Sequence, residues 1–238
     1  MSTRVLAASP SEIVERRRTP EQVAGIGGLV FLALLIVQNL LKATTNPPNS
    51  ATAAQIVHFA RHDAWTVDLL VVTYVIGFPC LFLFAAGVAK RCGELEPASE
   101  IWSRLGRSSV AVIAVLFGLV NILQVVIVAS RNDLAADPGL ASTLWTFHNA
   151  LFTINLVAVA GALLGFGRAA TIARLVPPRL GYLLVGGSAL LAIAAAPAVS
   201  EVRGSSILAA GLAGFLCWLV LLAVASLRLL REDRNSIS

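Results

Sequence analysis

Six uncharged apolar runs divide the chain, at Val23–Leu41, Leu69–Ala89, Val110–Ala129, Leu144–Gly167, Leu180–Val199 and Ile207–Leu227. A hydrocarbon core of ~30 Å needs about 20 helical residues, and every run approaches or exceeds that length. The pattern predicts an all-α, polytopic bundle of six transmembrane helices. Between the runs lie polar, turn-rich stretches. Thr19-Pro20-Glu21-Gln22 places a capping residue before a proline and marks the start of the first helix, while Ser9-Pro10-Ser11-Glu12 predicts a short surface helix ahead of it. After the turn Asn46-Pro47-Pro48-Asn49-Ser50, the amphipathic stretch Ala51–His62 is expected to rest at the membrane surface or to cap the bundle. Residues 130–144 and 200–206 form the other two links on that side, and Val176-Pro177-Pro178-Arg179 forces extended chain before the fifth helix. Residues 1–19 and 231–238 read as tails flanking one six-helix transmembrane domain, 20–230.

Composition agrees with this reading and excludes a soluble domain. Hydrophobic residues make up 57 % of the 238 and charged residues 13 %, against roughly 25 % charge in soluble proteins. The net charge of +5 is distributed by side. Arg4, Arg16, Arg17, Arg18, Lys90, Arg91, Arg104, Arg107, Arg168, Arg174, Arg179, Arg228, Arg231 and Arg234 fall on one face of the membrane; Lys42, Arg61, Arg131 and Arg203 fall on the other. The positive-inside rule then predicts both termini to be cytoplasmic and the protein to lie in the plasma membrane. No module presents the basic residues to nucleic acid; Arg16–Arg18 read as a topology anchor touching anionic lipid. Cys80, Cys92 and Cys217 lie apart, with no disulfide framework or zinc spacing. The first run is too long for a secretory signal. Usage of Arg over Lys and abundant Ala point to a GC-rich bacterial source.

The polar residues inside the apolar runs carry the candidate chemistry, because hydrocarbon tolerates them only beside a partner or a wet cavity. Gln38 and Asn39 end the first run, Asp68 opens the second, Asn121 and Gln124 share a face of the third with Gly118, and His148 and Asn155 share a face of the fourth. Nearly all belong to the half of the bilayer away from the cytoplasm, with Asn155 close to the centre. Together with His62 they predict one ligand-binding pocket lined by the first four helices, with Asp68 or His148 as the acid–base group of any reaction. The fifth and sixth helices offer only Ser188, Cys217 and similar weak groups and read as scaffold. Gly161-x-x-x-Gly165 and Ala210-x-x-x-Gly214 permit close helix approach, and Pro79 is expected to kink the second helix.

Two further patterns add alternatives. His62-Asp63-Ala64 to Asp68-Leu69 aligns, with one extra residue, to His148-Asn149-Ala150 to Asn155-Leu156, which predicts a tandem two-hairpin repeat in helices one to four. His58 and His62 are four apart, the spacing that offers two imidazoles to one metal, with His148 as a third ligand. A haem b held between His62 and His148, with Arg61 near a propionate, is a separate option. Set against these, no cofactor at all is the plainer expectation.

The layout, the Ala-Ala-Gln-Ile-Val-x-Phe segment before the second helix, and Leu144-Trp145 to Asn149-Ala150-Leu151-Phe152 opening the fourth resemble those of uncharacterised six-helix integral membrane proteins of actinobacteria. That resemblance implies a fold and no mechanism. The residues favour an outward-facing pocket for a small amphipathic or lipid-like ligand, with membrane lipid as a partner and homo-oligomers admitted. An enzyme acting in that pocket, a transporter or permease subunit, a metal- or haem-binding redox protein and a structural assembly partner are the alternatives.

Overall fold

The computed structural model describes residues 19–197 and 208–232. The Ser9–Glu12 helix, Arg16–Arg18 and the 200–206 link lie outside the described residues. Within them the chain is helical with no strand, and six helices are long and apolar enough to cross a membrane.

The elements are α1 (Pro20–Thr45), α2 (Ala53–His62), α3 (Ala64–Leu95), a 3₁₀ turn (Pro97–Ser99), α4 (Glu100–Ala129), α5 (Arg131–Ala136), α6 (Pro138–Ile172), α7 (Pro178–Ala195) and α8 (Leu208–Glu232). Their starts follow from local chemistry. The Thr19 hydroxyl accepts from the Gln22 N–H with Pro20 in the first turn, and Asp137 accepts from the Leu140 N–H with Pro138 in the first turn. Thr52 and Gln55 form a reciprocal capping box that starts α2. Pro79 is accommodated inside a continuous α3.

Each membrane helix packs on its chain neighbour, and α8 returns to α1, so α1, α3, α4, α6, α7 and α8 close into a circuit. Large apolar side chains such as Val75, Ile122, Val157 and Ile193 are more than half exposed on its outer surface. A soluble protein rarely exposes such a band, so the belt faces acyl chains. Trp65 at one end of α3 and Tyr182 at the opposite end of α7 are exposed where interfacial aromatics belong.

The two ends of the circuit differ. One carries Lys90, Arg91, Arg104, Arg107, Arg168, Arg174 and Arg179 and is called the basic end; the other is covered by residues 46–49, α2 and α5 and is called the capped end. Glycines hold the membrane helices together, most of them toward the basic end. A Cβ on Gly165 would collide with the Gly106 backbone, one on Gly28 with Ser226 and Phe84, and one on Gly87 with Ala24. Gly161 faces Ser109 and Gly214 faces the Gly187 carbonyl, so both small-residue motifs serve packing within the chain. Exposed pairs such as Glu21–Lys90 and Glu100–Arg104 decorate this end and add little.

Candidate polar compartment beneath the cap

Phe117, Asn121 and Gln124 stand at i, i+4 and i+7 on α4, and His148, Phe152 and Asn155 take the same spacing on α6. Such spacing stacks side chains on one helix face. The two helices are packed neighbours, and the Phe117 and Phe152 ring centroids lie 6.5 Å apart, so the stripes face each other. At 1.5 Å per residue, Asn121 and His148 both lie about 6 Å toward the capped end from that ring pair, and Gln124 about 10 Å. Asn155 lies about 4.5 Å on the other side. Asn121, Gln124, His148 and Asn155 are all at least nine-tenths buried.

Lys42 enters this space from α1. Its Nζ lies 4.3 Å from the Phe117 ring centroid and 5.6 Å from that of Phe152, within electrostatic reach of His148. α1 packs on α3 and α8, not on α4 or α6, so the side chain crosses the interior of the circuit. Its direction has a simple cause: Cα–Cβ bonds tilt toward a helix N-terminus, and α1 begins at the basic end. A lysine near a helix end usually snorkels to water. This one carries its ammonium inward, where the atom is buried without a hydrogen-bond partner.

Aromatic rings bound the compartment on one side. Phe31 of α1 and Phe78 of α3 are 6.0 Å apart, Phe78 and Phe117 another 6.0 Å, and Tyr74 lies 4.5 Å from Phe78. With Phe152 these rings form a layer across four helices. Tyr74 donates its O–H to the Ala114 carbonyl at 3.1 Å, in room left by Gly118, where a Cβ would approach the phenol oxygen to 2.7 Å.

The cap bounds the other side. Ile56, Phe59 and Ala60 of α2 pack with Val67, Ile127, Leu134, Ala141 and Trp145 in an apolar cluster separate from the main core. Trp145 Nε1 donates to the Pro48 carbonyl at 3.0 Å, and Asn149 Nδ2 donates to the Asn49 carbonyl at 3.2 Å. The second bond fixes the amide: Asn149 Oδ1 faces His148 Nδ1 at 3.1 Å and can only accept. Nδ1 therefore carries the proton, and Nε2 of the neutral imidazole is left as an acceptor. The ring itself stacks on Trp145 at 4.6 Å and 8°.

Between the cap and the ring layer several buried atoms have no partner in the protein: Lys42 Nζ, Asn121 Oδ1, both amide atoms of Gln124 and His148 Nε2, with Asn46 Oδ1 in the cap itself and Asn155 Oδ1 beyond the rings. Each such group costs about 1–3 kcal/mol if nothing satisfies it. One orphan is ordinary. This many, converging from α1, α4 and α6, mark a place built to hold something polar.

The structure therefore gathers Asn121, Gln124 and His148, with Asn155 buried on the same α6 face beyond the ring pair and Gln38 buried one turn below Lys42. It does not bring in the rest of the predicted set. Asp68 is exposed, because the inward stripe of α3 runs Thr66, Leu70, Thr73, Gly77 and residue 68 lies on the opposite face. Asn39 spends its amide on the Leu35 carbonyl of its own helix at 2.8 Å. The His58 and His62 rings lie 4.5 Å apart and tilted by 36° on the exposed face of α2, whereas His148 is buried. Among the described residues no three His, Cys, Asp or Glu side chains come together, so the three-histidine metal site is not assembled; of the proposed haem pair, His62 is exposed on α2 and His148 is buried on α6. The aligned segments also differ: α6 runs unbroken through His148, whereas the chain breaks at Asp63 between α2 and α3.

Lys42, Asn46, Phe117 and Phe152 were absent from the predicted set. The signal available was the Gln38–Lys42 spacing of four, which places the ammonium on the face of a buried amide. No family model, curated protein or solved structure matches the chain.

Proposed function

We propose that the chain is a multi-pass plasma-membrane protein with its capped end outside, whose compartment beneath α2 binds a small amphipathic or lipid-like ligand. The convergence of unpartnered buried polar atoms from three helices, set against a layer of aromatic rings, supports this reading. Polar walls and an apolar floor suit a molecule with both characters. The basic residues at the far end support the orientation. Ring layer and glycine seams lie between the compartment and the basic end, which favours binding over passage through the membrane. If a reaction occurs there, His148 Nε2 is the group placed to take a proton.

Gln124→Leu tests the reading. It removes two buried groups that cost ~1–3 kcal/mol each when unsatisfied, so the variant should unfold in detergent at the temperature of ligand-free wild type or above. Mass spectrometry of protein extracted from membranes should find an amphiphile on the wild type and far less on the variant. Wild-type protein that carries none, or a variant that retains it undiminished, would end the proposal.

A further inference from the structure

We infer that the ligand carries an anionic head group that seats on the Lys42 ammonium, with hydroxyl or N–H donors turned to the surrounding amides. This deepens the binding reading above and rests on it. The argument is an inventory of what the compartment offers. Lys42 places its buried Nζ over two phenyl faces, and no carboxylate among the described residues pairs with it, so an anion brought beside it is what would hold it as an ammonium. Ring faces attract the charge but leave its N–H groups without acceptors along their axes. Asn121 gives one Nδ2 hydrogen to the Phe117 carbonyl at 2.8 Å, and its oxygen is left without a partner. His148 spends its Nδ1 proton on Asn149, so only its Nε2 lone pair remains. Asn46 of the cap likewise has an unpartnered oxygen. The Lys42 amine therefore stands among several acceptors, with Gln124 able to serve either role.

That set selects. A cationic ligand meets like charge. A neutral ligand gives the Lys42 amine no counter-charge in a site where holding a charge is most costly, and so leaves the one potential cation of the compartment unused. An anion that also bears hydroxyl or amide donors satisfies both halves, and its apolar remainder has Phe117 and Phe152 to lie against. The anionic group is a carboxylate or phosphate, carried on an acyl chain or on a small soluble solute.

The test uses the full chain in a neutral maltoside detergent. Oleate, oleoyl lysophosphatidate and uncharged monoolein share one acyl chain and differ in head group. The wild type should bind at least one of the two anions about tenfold or more tightly than monoolein, the difference a charge-assisted hydrogen bond implies. Lys42→Gln should erase that preference, Lys42→Arg should keep it, and Arg107→Gln at the exposed basic end should leave it intact. Displacement by acetate or inorganic phosphate alone would assign the anion to a soluble solute; displacement only by the acyl anions would assign it to a lipid. Monoolein binding as tightly as both anions in the wild type overturns the inference while the binding reading stands. Equal losses in Lys42→Gln and Arg107→Gln overturn it too, since surface charge then accounts for the preference. Binding of none of these probes to the wild type, with an uncharged amphiphile found on the extracted protein, overturns it again.

Discussion

Gly165→Ala is expected to destabilise the bundle by about 3 kcal/mol or more, the upper range for overpacking. The methyl group would enter the backbone of Gly106 and lie 2.8 Å from the Trp102 carbonyl oxygen. Neither obstacle is a flexible side-chain tip. Relief requires α4 and α6 to separate, and that seam joins the two helices that carry most of the polar compartment. Gly186→Ala is the matched control, because nothing lies within 4 Å of its added Cβ and the position is exposed. It should be neutral or stabilising by up to ~1 kcal/mol, the difference in helix propensity between the two residues. Unfolding of both variants by denaturing detergent, followed by circular dichroism, measures the contrast. Equal stability of the two would show that the α4–α6 seam is not as tight as described.

Trp145→Ala should free the cap while leaving the basic half folded. The indole is 2 % exposed, stacks on His148, contacts Phe59 and bonds the Pro48 carbonyl. Truncating a buried tryptophan costs about 3–5 kcal/mol, and here the loss falls on a small cluster that the main core does not share. Hydrogen exchange of residues 46–62 should therefore accelerate by about 100-fold or more, with α7 and the described part of α8 near wild-type rates. Uniform acceleration over all helices would mean that cap and bundle unfold as one unit. Trp145→Phe retains stacking and loses the hydrogen bond, so its effect should be intermediate.

The six membrane helices were legible because a bilayer imposes a length and forbids charge, and those constraints act on sequence directly. Their ends were not. α3 continues through Lys90, Arg91 and Glu94 to Leu95, since a helix gains backbone hydrogen bonds beyond the apolar slab whatever its side chains are. The polar stripes on α4 and α6 were legible from spacing alone. Asp68 was misplaced because its residue type was weighed above its register: Thr66, Leu70, Thr73 and Gly77 already define the inward face of α3. Lys42 reads in the sequence as an interfacial charge. Whether such a lysine turns to water or into the bundle depends on helix polarity and on the space that neighbouring helices leave, and neither is local information. The histidine pair on α2 shows the converse, in that four-residue spacing sets two rings side by side without saying which way the face looks.

The glycine seams have a mechanical consequence. At the basic half, helices meet backbone against backbone at Gly25, Gly106 and Gly165, and close-packed contacts of this kind do not deform gradually. The cap adds a small apolar core of its own, and on the capped half of α8 Gly214 meets the Gly187 carbonyl. A rocking motion of one hairpin against another would have to open these backbone seams first.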